Sequence, residues 1–200
     1  MTYSDLLRRY QNSISGISKD VFDQNAARLL SNFKMTRQGP FSGVKYQNGK
    51  PSDPNKKLNE CWNSIGDDLI RIRNSIDMYK SPSRVRVLVN LEAEQFEGIF
   101  EELWKVFKRL LPICMGENTF GLVGASKIIF ALLPEVGLPV DNKQWRSLFK
   151  TVDYGDVLRM MADEIRDWES TTRERLDSCD PRELTTLPAV YNVMAMKARP

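Results

Sequence analysis

Residues 58–76 read LNECWNSIGDDLIRIRNSI, and the fold class turns on them. Leu58, Cys61, Trp62, Ile65, Leu69, Ile72 and Ile76 recur at alternating intervals of three and four. That period places them on one face of a helix. The spacing predicts a long helix from about Asn55 to Met78, with Ser81-Pro82-Ser83 breaking it. A narrow apolar face of nearly three heptads suits a central helix, and equally a helix packed against a second copy of the chain.

The same period governs most of the surrounding chain. Phe22, Ala26, Leu29, Leu30 and Phe33 mark a helix from about Lys19 to Phe33, and Ser4 is placed to cap a short one through Leu6, Leu7 and Tyr10. Phe96, Phe100, Leu103, Trp104, Phe107, Leu110 and Leu111 form an aromatic stripe on a helix over 91–111, ended by Pro112 and Gly116. At helical spacing such a stripe is read as core. Gly124 to Leu133 reads as a short apolar helix bounded by Pro134. Asp141 then opens a helix through Trp145, Leu148 and Phe149. Asp153 opens another containing Val157, Leu158, Met161, Ile165 and Trp168, and Asp180-Pro181 looks like an N-cap followed by an N1 proline. Between the first two strong helices, Gly39, Pro40, Gly43, Gly49, Pro51 and Pro54 predict a long irregular loop. Val85, Val87 and Val89 alternate as a strand would, but one strand makes no sheet, so an extended connector is expected.

These readings combine into an all-α, single globular domain over 1–200. It has seven or eight helices, one long basic loop at 35–54 and an extended tail at 187–200. The chain has 200 residues, of which 42% are hydrophobic and 28% charged. That is ordinary for a soluble globular protein and excludes collagen-like, wholly disordered and disulfide-scaffold classes. There is no histidine, which removes Ser-His-Asp and Cys-His catalysis and the usual zinc enzymes. Cys61, Cys114 and Cys179 are too scattered for a metal cluster. Their odd count and wide spacing point to reduced thiols and a cytoplasmic protein. No apolar run spans a bilayer or resembles a signal peptide, so no membrane partner is expected. No P-loop, GxGxxG or EF-hand loop is present, and no cofactor and no metal site is called for. Glu92, Glu94, Glu97 and Glu101 place several carboxylates near one helix face, which would suit a magnesium or manganese ion but reads more plainly as a solvated acidic surface.

Charge is uneven although the net is only +3. Residues 1–90 carry 15 Lys/Arg and 8 Asp/Glu, whereas residues 91–200 carry 14 and 18. Lys34, Arg37, Lys45, Lys50, Lys56 and Lys57 crowd the long loop and its flanks against Asp53 alone, with Phe41 and Tyr46 interleaved. Cations neutralise phosphates and rings stack on unpaired bases, so Lys45, Lys50 and Lys56 are candidate contacts to DNA or RNA. A solvated basic face is the plainer alternative.

One constellation suggests chemistry. Phe120-Gly121-Leu122-Val123-Gly124-Ala125-Ser126-Lys127 turns directly into an apolar helix, and Val140-Asp141 starts the next. Gly121 and Gly124 permit close backbone approach, and amides at a helix start hold anions. The turn between the helices would bring Lys127 and Asp141 to the same end. Residues 118–150 resemble helix-hairpin-helix DNA glycosylases, and also uncharacterised helical proteins that carry no known activity. The first resemblance implies that the Gly121 and Gly124 amides grip a DNA phosphate. It further implies Lys127 as nucleophile and Asp141 as the catalytic carboxylate. The sequence departs from that pattern in its Gly-x-x-Gly hairpin, in a shorter interval between the lysine and the aspartate, and in lacking a cysteine quartet. Read without the resemblance, Asp141 is a helix N-cap, Lys127 a solvated first-turn lysine and the glycines turn residues. The competing function is a non-enzymatic helical interaction protein that self-associates as a homodimer.

Overall fold

Ser18 starts the first described helix. Its side chain accepts the Val21 N–H at 3.3 Å, and α1 follows over Lys19–Asn32. The structure is a computed structural model describing residues 17–78, 86–117, 120–179 and 186–198. After α1 come β1 (Lys45–Gln47), β2 (Lys50–Ser52), α2 (Lys57–Met78), α3 (Val87–Asn90), α4 (Ala93–Cys114) and α5 (Leu122–Leu132). A π-helical segment (Gln144–Phe149), α6 (Tyr154–Thr172), a 3₁₀ turn (Leu176–Cys179) and α7 (Leu187–Ala198) complete the order. The fold is all-α, with a single small antiparallel hairpin among the described residues.

The predicted stripes meet in one core. Phe22, Leu29, Ile65, Leu69, Phe100, Leu103, Val157 and Met161 all belong to the same buried cluster. The aromatic helix α4 is its hub, packing on α2, α5 and α6, while α1 lies across α5 and α2. Phe107 stacks on Tyr154 at 4.5 Å between ring centroids, with Trp104 and Trp145 tilted against Phe107. The apolar face of α2 (Leu58, Cys61, Ile65, Leu69, Ile72, Ile76) is buried by the chain's own helices. The pattern that suggested a homodimer is thus satisfied internally. No helix among the described residues is long and apolar enough to cross a membrane.

Several expectations are corrected. Val87–Asn90 is a short helix rather than an extended connector. Burial of Val87 and Leu88 overrides the strand preference of β-branched residues. Arg86 pins its start with a two-pronged bond to Glu169 at 2.7 and 3.0 Å and a bond to Asp177. Helix α4 runs through Pro112 to Cys114; the proline removes the N–H that would bond the Lys108 carbonyl, and burial of Cys114 carries the helix past it. The loop at 35–54 contains the β1–β2 hairpin, turned by Asn48 (φ 50) and Gly49 (φ 79), the Asn-Gly pair that a tight hairpin favours. Residues 187–198 form α7 instead of an extended tail, because Leu187, Ala189, Val190 and Tyr191 are buried and the Tyr191 hydroxyl reaches Glu164 at 2.9 Å. The helices expected at Ser4–Tyr10 and at Asp180-Pro181 lie outside the described residues.

Candidate functional site

Gly121 and Gly124 do not form an open anion-gripping loop. Gly121, at φ 79, caps α5 in the left-handed region. A Cβ there would lie 2.4 Å from the Leu111 carbonyl oxygen, so only glycine fits. Gly124 lies inside α5, where a Cβ would come within 2.9 Å of the Cys114 Cβ and 3.2 Å of the Phe41 ring. Both glycines are buried and let α5 approach α4 closely.

Lys127 is not a solvated lysine. It sits in the second turn of α5 with 4% exposure, its Nζ 3.9 Å from the centroid of Phe33, the residue that ends α1. Burial pushes its pKa down to about 8, against the pull of the Asp141 charge. The tight turn therefore does bring Lys127 and Asp141 within electrostatic reach, although no ion pair joins them. Asp141 is a helix cap. Its Oδ1 accepts the Gln144 N–H at 2.9 Å while the Gln144 Oε1 accepts the Asp141 N–H at 2.8 Å, a reciprocal capping box. The Gln144 amide then donates to Asn192 on α7 at 2.5 Å.

The connection between Lys127 and Asp141 is wholly buried from Leu133 to Val140, and its polar groups are matched. The Tyr154 hydroxyl donates to the Leu138 carbonyl at 2.9 Å and accepts the Leu138 N–H at 2.8 Å. The Ser126 hydroxyl accepts the Val140 N–H at 3.1 Å. Arg73 of α2 makes a two-pronged bond to Glu135 at 3.0 and 2.9 Å and donates to the Leu132 carbonyl at 2.8 Å; Arg73 and Glu135 are each 2% exposed. Sequence reasoning missed this pair. An amine titrating near pH 8 is nucleophilic when neutral, but here the amine is enclosed by packed side chains. A substrate atom reaches it only if that packing opens.

The basic segment is arranged differently. Lys34, Arg37, Lys45, Lys50 and Lys56 are exposed, and none forms an ion pair with a described residue; Lys57 is paired with Glu60. The segment's one carboxylate is occupied, since Asp53 accepts the N–H groups of Lys57, Leu58 and Asn59 at 3.0, 2.8 and 3.2 Å and so caps α2. Lys45 and Lys50 project from the solvent face of the hairpin, whose other face presents Tyr46 and Pro51 to α1. The interleaved aromatics are not free. Phe41 is buried, and the Tyr46 ring is covered by the Arg28 guanidinium at 3.9 Å. On the acidic face of α4, Glu97 pairs with Arg159 at 2.8 Å, and the Glu92 N–H bonds Gln95 at 3.1 Å as part of a cap. No group of three or more Cys, Asp or Glu among the described residues is placed to hold a metal ion.

Comparison with known proteins gives no matching family model, no matching curated protein and no matching solved structure.

Proposed function

We propose that the protein binds the phosphate backbone of DNA or RNA through the basic platform around its β-hairpin, without excising bases. One observation carries this reading: Lys34, Arg37, Lys45, Lys50 and Lys56 stand exposed and without ion partners among the described residues, around an acidic residue whose oxygens are already committed. Free cations held on a folded scaffold release counterions when they meet phosphates. Because Phe41 is buried and Tyr46 is covered, charge rather than base stacking drives the contact, and it reads no sequence. Base excision is left out because the amine of Lys127 is enclosed and the Gly121 and Gly124 backbones are packed against α4. Buried free thiols at Cys61 and Cys114 accord with a reducing compartment, the cytoplasm. Self-association through α2 has lost the apolar face that suggested it.

Fluorescence anisotropy of a labelled oligonucleotide against rising salt tests the proposal. Binding at low salt should weaken steeply as salt rises. Replacing Lys45, Lys50 and Lys56 together with Gln should flatten the salt slope by up to about three units if each meets one phosphate. Absence of salt-sensitive binding to any oligonucleotide overturns the reading.

A further inference from the structure

The hairpin has two faces, and the fold uses one of them. In its register Lys45 pairs with Ser52, Tyr46 with Pro51 and Gln47 with Lys50. Successive side chains on a strand alternate between faces, and exposure follows that alternation. Tyr46 and Pro51 are half-buried, whereas Lys45, Gln47, Lys50 and Ser52 are exposed. The inner face lies on α1, where the Arg28 guanidinium covers the Tyr46 ring at 3.9 Å from its centroid. The outer face is thus a two-stranded ribbon supported from behind. It carries two cations, an amide and a hydroxyl, and no carboxylate. The flanks add the exposed Lys34, Arg37 and Lys56, so charge complementarity calls for a polyanion.

We propose that the outer face of the hairpin enters the major groove of duplex DNA. The occupant is then a B-form duplex, a narrower partner than the nucleic-acid reading on which this placement rests. Two strands stand about 4.8 Å apart, and the major groove of B-form DNA, about 12 Å wide, admits such a ribbon. Lys45 and Lys50 occupy diagonal corners of the face, about 7–8 Å apart at the backbone. Their flexible four-carbon stems splay outward to phosphates on the two opposite walls of the groove. Gln47 and Ser52, on the other diagonal, face the floor. An amide and a hydroxyl both donate and accept, so any base edge satisfies them, directly or through water, and the contact stays indifferent to sequence. An RNA duplex offers no equivalent seat, because its A-form major groove is deep and too narrow for side chains to read.

Two measurements on the full-length protein test the placement. The first compares affinity for a DNA duplex and an RNA duplex of the same length and sequence at low salt. DNA should bind on the order of tenfold tighter. Gln47→Glu, at an exposed position, sets a carboxylate between the two rows of phosphates. It should therefore lower DNA affinity several-fold more than RNA affinity. The second treats free and bound DNA with dimethyl sulfate, which methylates guanine N7 in the major groove and adenine N3 in the minor groove. Bound guanines should be protected and adenines should not. Equal affinity for the two duplexes, or guanine N7 as reactive as in free DNA, overturns the groove placement while salt-sensitive binding still upholds the phosphate reading. Protection of adenine N3 alone overturns it as well, in favour of the minor groove. Absence of salt-sensitive binding to both duplexes overturns the phosphate reading and the placement with it.

Discussion

The ammonium of Lys127 lies over the ring of Phe33, 3.9 Å from its centroid, so a charge on α5 is held against the end of α1 inside the protein. Burial lowers its pKa to about 8, with Asp141 pulling the other way. The unfolded chain keeps a lysine near 10.4. Between these values the unfolded state binds more protons than the folded one, so this group's contribution to stability rises with pH from about 8 to about 10.5.

Replacing Lys127 with Met should therefore stabilise the protein at pH 7, by about 1–2 kcal/mol after the lost cation–π contact is subtracted. That advantage should shrink to nothing by about pH 10.5. Comparing variant with wild type matters, because Cys114 and Tyr154 titrate in the same range with the opposite sign. The Cys114 thiol is held well above its usual range by its hydrogen bond to the Cys61 sulfur and by burial, and burial also raises Tyr154. Each stays protonated in the fold while ionising in the unfolded chain, which lowers stability at high pH, and the difference measurement cancels both. Urea denaturation at several pH values supplies it. An advantage that does not change with pH would show that the amine is solvated.

The Arg73–Glu135 pair gives the next prediction. Removing one partner strands a buried charge, so Arg73→Met or Glu135→Gln should cost about 3–5 kcal/mol. Replacing both with apolar residues of similar volume should recover much of that loss, since the pair's own desolvation penalty disappears as well. Chemical denaturation of the four proteins in a double-mutant cycle reads the coupling. Additive losses would mean that the two side chains act independently.

Helices α1, α2 and α4 were legible because a 3.6-residue period needs no knowledge of what lies opposite. Val87–Asn90 was not, since its alternation is strand-like and only burial against the rest of the chain makes it helical. The Asn48-Gly49 turn was present in the sequence, but its flanks, Lys45-Tyr46-Gln47 and Lys50-Pro51-Ser52, lack the apolar alternation that announces a hairpin. The buried pair left local traces. Arg73 falls on the α2 stripe between Leu69 and Ile76, and Glu135 is the only charged residue between Lys127 and Asp141. Their meeting across the fold has no local signature. Lys127 itself was readable as buried, for α5 is apolar on every side and such a helix lies inside.

Substitutions at Gly121 and Gly39 separate packing from phosphate gripping. Both have φ near 79, but a Cβ at Gly39 meets open space, whereas at Gly121 it meets the Leu111 carbonyl. Gly39→Ala should cost about 1 kcal/mol from backbone strain alone, and Gly121→Ala clearly more, through strain and steric conflict together. Thermal denaturation ranks the two. Oligonucleotide affinity per folded molecule should be unchanged in both variants. A Gly121→Ala protein of normal stability and weakened binding would restore the amides of that turn as phosphate contacts.

The covered state of Tyr46 makes the last prediction. Proteins that prefer single strands do so by stacking bases on exposed rings, at about 1–3 kcal/mol per base. Here Phe41 is buried and Arg28 covers the Tyr46 ring, so the hairpin platform offers no such contribution and duplex should bind it at least as well as a single strand of the same length. The salt dependence should also follow phosphate density. Three contacts would give a slope of about −2.7 on duplex and about −2.1 on a single strand. Tyr46→Leu should leave both slopes intact while loosening the hairpin, which loses the stack beneath Arg28. A clear single-strand preference that vanishes in Tyr46→Leu would mean that Arg28 swings aside and the ring receives a base, and the charge-only account of binding would then fail.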